Sequence, residues 1–165
     1  MNDWDKLDAK LEALQNIADD IEHKAAPEIC SKMRSYALDR LDAQVYDGNS
    51  RPVTGKLRNS VEGASDIIVR KNDAAVVMGI DSTAEYAKYV EFGTGPKGSA
   101  IYNGHLSEGV TFTSKERWGP YFNTQLGEFR MGFPQAPRPF MRPALYDQIE
   151  DFKQTIKDAI SDVIG

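Results

Sequence analysis

Two histidines, one cysteine and a scatter of carboxylates are the groups in this 165-residue chain that could ligate a metal or move a proton. His23 falls on the polar side of a helical pattern, and His105 falls in a glycine-rich stretch. Neither has a second histidine or paired carboxylates at ligand spacing, so both read as surface residues. Cys30 is the only cysteine, which excludes an internal disulfide and any multi-cysteine zinc or iron–sulfur site. With no histidine nearby in sequence, it reads as a small apolar packing residue. Acids that could form a general acid/base pair are plentiful, among them Asp66, Asp73, Asp81, Glu85 and Glu91, but no spacing singles out two of them. Gly93-Thr94-Gly95-Pro96-Lys97-Gly98-Ser99 has the composition of a phosphate-binding loop. Its context is wrong, because such a loop follows a buried strand and opens a helix. No catalytic, cofactor-binding or metal-ligating residue is assigned, and the expectation is a protein that is not an enzyme.

Glu91 stands apart from the other acids, because it lies between apolar residues in EYAKYVEFGTG, residues 85–95. Arg142 is embedded in the same way in PRPFMRPALYD, residues 137–147. An arginine–carboxylate fork between them would lock the two segments together. The three prolines at 137, 139 and 143 stiffen the second segment and remove amide donors.

The elements that must position these segments follow from periodicity. Trp4, Leu7, Leu11, Leu14, Ala18, Ile21 and Ala25 recur at three-four spacing among charged and amide residues, which predicts an amphipathic helix with a narrow apolar seam. Asn2 or Asp3 is placed to cap it. Pro27 interrupts the pattern, which resumes through Ile29, Met33, Ala37, Leu41 and Val45. Two arrangements fit: one kinked helix, or a second helix opened by Pro27. A continuous helix over 3–46 would reach roughly 65 Å, so part of it must project or bend. So regular a seam predicts partner helices, from this chain or from neighbouring subunits.

The breakers Asp47–Pro52 end the helical region. Thr54–Ser60 then leads into two β-like runs, Val61–Arg70 and Ala74–Ile80, with a tight turn at Lys71-Asn72-Asp73. Thr83–Phe92 predicts a short helix with Tyr86, Tyr89 and Val90 on one face, stopped by Gly93 and Gly95. Residues 96–135 hold Tyr102, Phe112, Trp118, Tyr121, Phe122, Phe129 and Phe133, and predict a long β-hairpin excursion rather than a linker. After Pro143, Leu145, Ile149, Phe152, Ile156, Ala159 and Val163 predict a C-terminal helix over 145–164. The expected class is α+β. A long N-terminal helix, a small antiparallel sheet with its excursion, a short helix and a C-terminal helix packed on the sheet form one domain over 1–165. Within it, 3–46 is helical and 54–144 forms the β-rich core.

The net charge of −5 is unevenly spread. Residues 1–50 carry 6 basic and 11 acidic side chains, residues 51–142 carry 12 and 9, and residues 143–165 carry 2 and 5. A mildly basic centre between acidic ends is a weak nucleic-acid signature, because duplex binding needs a concentrated basic patch. No run of apolar residues is long enough to span a membrane, and the charged first twenty residues do not read as a secretory signal.

In their order, the long helix, TGKLRNSV from Thr54, the hairpin, YAKYVEFGTG from Tyr86 and PFMRPALYD from Pro139 resemble the gene-product-ten-like family of tailed bacteriophages. The likeness runs over roughly residues 5–160. By it, Thr54, Gly55, Leu57, Arg58 and Ser60 match a turn and the start of the first strand. Tyr86, Tyr89, Val90, Glu91, Phe92, Gly93 and Thr94 match the short helix and its turn, and Pro139, Phe140, Arg142, Pro143 and Ala144 match the element before the last helix. The resemblance implies a structural virion protein assembled in the host cytoplasm, a tail-completion or head–tail joining component at the neck. It implies a homo-oligomeric ring, a hexamer, between a head-side connector or stopper ring and a tail terminator or tail-tube protein. DNA would pass through its lumen without sequence-specific binding, and no cofactor or membrane is implied. The excursion, with Trp118 and Tyr121, is expected to reach a neighbouring subunit or the next ring. Two other readings are a free-standing DNA-binding or regulatory module using residues 51–142, and a small hydrolase, for which no pocket-forming pattern is present.

Overall fold

The computed structural model describes residues 3–46, 55–72, 75–123 and 127–164. Helix α1 (Asp3–Asp20) runs into a five-residue π segment (Ile21–Ala25) and on into α2 (Ala26–Gln44). Asp20, Ala25 and Ala26 all keep right-handed helical dihedrals, so the rod is continuous. Pro27 lacks an amide and would leave a gap in an α-helical ladder. The wider π turn just before it, with the Ala26 amide donating to the Ile21 carbonyl, takes up that gap. Of the two expected arrangements, the single long helix is found, with a π bulge rather than a break.

α2 is the spine of the core. Its Ile29, Cys30, Met33, Ala37 and Leu41 are buried with Leu57 and Val61 of α3 (Lys56–Glu62), Ile80, Phe140, Ala144 and Phe152. Leu41→Ala, at a side chain with no exposed surface, is expected to cost about 2–5 kcal/mol in chemical denaturation. A loss well under 1 kcal/mol would show that this is not the core.

The segment TGKLRNSV departs from expectation: it opens a helix, not the first strand. Leu57 and Val61 stand one helical turn apart and are both buried, while Arg58 pairs with Glu62 at 2.8 Å on the outer side. That i, i+4 pattern was present in the sequence and outweighs the β-branched Val61. Thr54, the breaker run Asp47–Pro52, Asn2, and Asp73 and Ala74 at the hairpin turn lie outside the described residues.

Strands β1 (Ile67–Asn72) and β2 (Ala75–Gly79) form the expected antiparallel hairpin, with Ile68 opposite Met78 and Val69 opposite Val77. Helix α4 (Ala87–Phe92) follows and leads into a 3₁₀ turn (Gly95–Lys97). The excursion is two hairpins rather than one long one: β3 (Ile101–Tyr102) with β4 (His105–Leu106), and β5 (Trp118–Asn123) with β6 (Glu128–Gly132). Among the described residues, the strands therefore form three separate two-stranded ribbons.

The C-terminal region also differs in detail. A short helix α5 (Met141–Tyr146) precedes a turn at Asp147-Gln148, and the last helix α6 starts only at Ile149 and runs to Ile164. Leu145 thus belongs to α5. α6 packs chiefly on α1, the π segment and α2, not on a sheet. Lys32 of α2 fixes it, donating to Thr155 Oγ1 at 2.9 Å and lying 3.3 Å from Asp151. The α+β class stands, with the long helical rod as its organising element.

Candidate functional site

The segments 85–95 and 134–143 are brought side by side. Thr94 and Gln135 exchange hydrogen bonds, the Thr94 amide to the Gln135 carbonyl and the Gln135 amide to Thr94 Oγ1, each at 2.9 Å. The Arg138 amide donates to the Val90 carbonyl at 2.8 Å. Between these strands of chain lies the Glu91–Arg142 pair, with Arg142 Nε donating to Glu91 Oε1 at 2.7 Å. Both side chains are buried.

Glu91 does more than pair with a cation. Its Oε2 accepts the amides of Phe140 at 2.7 Å and Met141 at 2.8 Å, and its Oε1 accepts that of Arg142 at 3.1 Å. These are the cap and first two residues of α5, whose amides have no partner inside the helix. The next residue, Pro143, has no amide to satisfy. One carboxylate thus completes the start of a helix nearly fifty residues downstream, and its negative charge suits that helix end. Arg142 uses its remaining donors on the carbonyls of Glu91, at 2.6 Å, and Ser99, at 3.2 Å. Its guanidinium also lies over the rings of Phe92, 4.5 Å from the centroid, and Tyr102. The pair is a clasp holding α4, the 3₁₀ turn and α5 together.

A second tie holds the first hairpin of the excursion. Asp147 accepts from the Tyr102 hydroxyl at 2.8 Å, Asn103 Nδ2 at 3.2 Å and Arg40 at 3.3 Å, and the His105 ring stacks on Tyr146 at 4.0 Å. Burial, reinforced by the Asp147 carboxylate, holds the Tyr102 hydroxyl above its ordinary pKa, so it remains a donor. Neither Asp147 nor His105 was marked out by the sequence. A lone acid and a lone histidine at long range give no periodic signal.

Beside the clasp an open groove of about 1240 Å³ is lined by Tyr86, Lys88, Tyr89, Val90, Phe92 and Phe112, among others. The expected aromatic face of α4 is thereby split. Val90 packs on the core, whereas Tyr86 and Tyr89 stand exposed along the groove. The Phe112 ring packs against Gly98, where an added Cβ would come within 2.1 Å of it. Trp118 and Tyr121, expected as contact residues, are on β5, opposite Gly132 and Arg130 of β6. Arg58, expected at a turn, instead ties α3 to α2 through Asp42 at 3.2 Å, and its amide donates to the Tyr46 hydroxyl at 3.1 Å.

Cys30 is fully buried and donates to the Gly79 carbonyl at 3.3 Å. Burial pushes its thiol pKa up, and the nearby Asp66 adds to this. A raised folded-state pKa favours the protonated thiol, so this stabilisation is complete below the thiol's ordinary value and is lost as pH rises above it. Iodoacetamide at pH 8 is expected to leave Cys30 unmodified in the native protein and to alkylate it in denaturant. Rapid native labelling, read by mass, would contradict the buried thiol. His23 accompanies the Asp19 carbonyl at 3.0 Å on the exposed side of the rod, and no group of three metal-binding side chains forms among the described residues.

The geometry defines an α+β scaffold, built on a long helical rod, that clasps the two ends of an aromatic-rich excursion and holds a groove open beside it. A family model described as "Bacteriophage HK97-gp10, putative tail-component" matches residues 5–93. That span is more than half of the chain, and the protein belongs to the HK97-gp10-like family of phage tail components. The match takes in α1 through α4 and stops before the excursion and the segment bearing Arg142. No curated protein and no solved structure matches the chain significantly.

Proposed function

We propose that the chain is a structural, non-enzymatic virion protein that joins head to tail. It forms a ring, a hexamer, at the neck, between the head-side connector and the tail terminator or tube. The observation that carries this reading is the match to a phage tail-component family over residues 5–93. The exposed apolar surface supports it. Trp4, Leu7, Leu11 and Leu14 on α1, Tyr86 at the start of α4 and Tyr89 on it, and Phe129, Met131 and Phe133 at the end of the excursion all face solvent in the single chain. Apolar surface on this scale marks contact sites for other chains. No helix among the described residues is long and apolar enough to cross a membrane.

The charge pattern fits a channel for DNA. Acidic terminal helices facing a lumen would repel phosphate and let DNA slide. Purified protein is therefore expected to bind duplex DNA weakly and with little salt dependence. Tight binding that falls steeply with salt would favour a DNA-binding module using residues 51–142 instead. The decisive experiment removes the gene from the phage. Filled heads and separate tails are expected, rejoined when the protein is supplied, with label on the protein at the neck in electron micrographs. Normal joined particles without the protein would overturn the reading.

A further inference from the structure

The first hairpin of the excursion is held to the body by a few side chains. Strands β3 and β4 share two residue pairs, Ile101 with Leu106 and Tyr102 with His105. They pack chiefly on each other, and neither contributes a residue to the hydrophobic core. A two-stranded hairpin is marginal by itself, so its fastening matters. Residues paired across a ribbon share a face. Ile101 and Leu106, 59 % and 63 % exposed, take the outer one, so apolar burial does not hold the hairpin down. Tyr102 and His105 take the inner one. The Tyr102 hydroxyl and Asn103 Nδ2 donate to Asp147, and the His105 ring stacks on Tyr146. Segments with few buried contacts and exposed hydrogen bonds open locally, without global unfolding.

Beneath the hairpin lies the clasp. The Arg142 guanidinium is 4.5 Å from the Phe92 centroid and 5.6 Å from that of Tyr102. Phe92 belongs to α4, but Tyr102 moves with the hairpin. The root of the hairpin is fixed at Ser99, whose amide donates to the Phe92 carbonyl at 2.9 Å and whose carbonyl accepts from Arg142. Its return arm reaches Gly109, with φ 76° and nothing within 4 Å of its Cβ position. We propose that residues 100–107 form a strap that opens as a unit, with Asp147 as its catch, and that opening admits water to the Glu91–Arg142 pair. The catch itself stays with the body, because Asp147 also accepts from Arg40 of α2 and its amide donates to the Pro143 carbonyl. With the strap closed, both members of the pair are buried. Their attraction is strong at low dielectric and weakens as water enters. A neighbouring chain that drew the strap away would thus loosen both ends of the excursion through one contact.

Hydrogen exchange of the full chain, followed by NMR, tests the device. The reporters are the Ser107 amide, which donates to the Ala100 carbonyl, and Arg142 Nε–H, which donates to Glu91. In the native chain Ser107 is expected to exchange at least about a hundredfold faster than the Leu41 amide of α2. Tyr102→Phe combined with Asn103→Asp removes both donors to the catch, keeps a ring over Arg142, and leaves a residue that tolerates the positive φ of the turn. In that variant Ser107 exchange should rise at least about tenfold and Arg142 Nε–H exchange about threefold or more, with Leu41 unchanged. Asp147→Ala, which removes the acceptor instead, should raise Ser107 exchange by a similar factor. Native Ser107 exchange as slow as that of Leu41 would mean that the strap is no separate unit, and would overturn the proposal. Unchanged Ser107 exchange in both variants would overturn it as well, because Asp147 would not be the catch. Faster Ser107 exchange with an unaltered Arg142 Nε–H would show strap and clasp to be unlinked, and would also overturn it.

Discussion

Glu91→Ala is expected to lower the thermal midpoint by about 6–20 °C, and by more than Arg142→Met does. The asymmetry follows from what each change strands. Removing the carboxylate leaves a buried guanidinium without its counter-ion and three α5 amides without an acceptor. Breaking a buried pair in this way costs about 3–5 kcal/mol, and each kcal/mol shifts the midpoint by about 2–4 °C at this chain length. Removing the arginine leaves the carboxylate with its three amide donors, so about 1–3 kcal/mol is expected. Glu91→Gln keeps an acceptor for the amides while dropping the ion pair, and should fall between the two. Calorimetry of the three single variants and of the double variant gives the coupling directly. Additive losses, or a larger effect at Arg142 than at Glu91, would mean that the carboxylate is not what holds the start of α5.

Gly93→Ala is the second change expected to be severe. Gly93 ends α4 with φ 73° and ψ −169°, a region that side chains scarcely enter. An added Cβ would also meet main chain, the Gln135 carbonyl oxygen at 2.5 Å and the Pro137 nitrogen at 2.7 Å. Neither atom belongs to a flexible side chain, so the two clasped segments must move apart. The backbone term alone is about 1–3 kcal/mol, and the forced separation adds about 1–3 kcal/mol. Gly104→Ala is the control. It also has a positive φ, 82°, but nothing lies within 4 Å of its Cβ position. Denaturant midpoints should place Gly93→Ala well below Gly104→Ala, and equal losses would refute the steric part of the account.

Much of this was legible in the residues. The rod was written in three-four spacing, the first hairpin in two β-branched runs, and the Glu91–Arg142 fork in two opposite charges embedded in apolar and proline neighbours. What the spacing did not reveal was how many bonds the fork makes. Backbone amides have no letter in a sequence, and three of the carboxylate's partners are amides. The same blindness let Pro143 read as the residue before a helix, although it sits in the first turn, where a missing amide costs nothing. In Lys56–Glu62 the helical Leu57–Val61 spacing is masked by the β-branched Val61 and by the strand-like run that follows it. The groove was illegible, because it is built by Phe112 and α4 from sequence neighbourhoods that share no pattern.

The clasp also decides where the chain is free to change. It joins residues 51 apart and closes the segment between them into a loop, whose first hairpin is tied back a second time to Asp147. Closing a longer loop adds only about 0.6 kcal/mol for each doubling of its length. The scaffold therefore tolerates a cassette of very different length or sequence at this position, provided both ends return to Glu91 and Arg142. The family match over residues 5–93 includes Glu91, the first half of this fastening. A loop closed by a buried fork makes the length of the suspended segment a weak constraint on the stability of the framework.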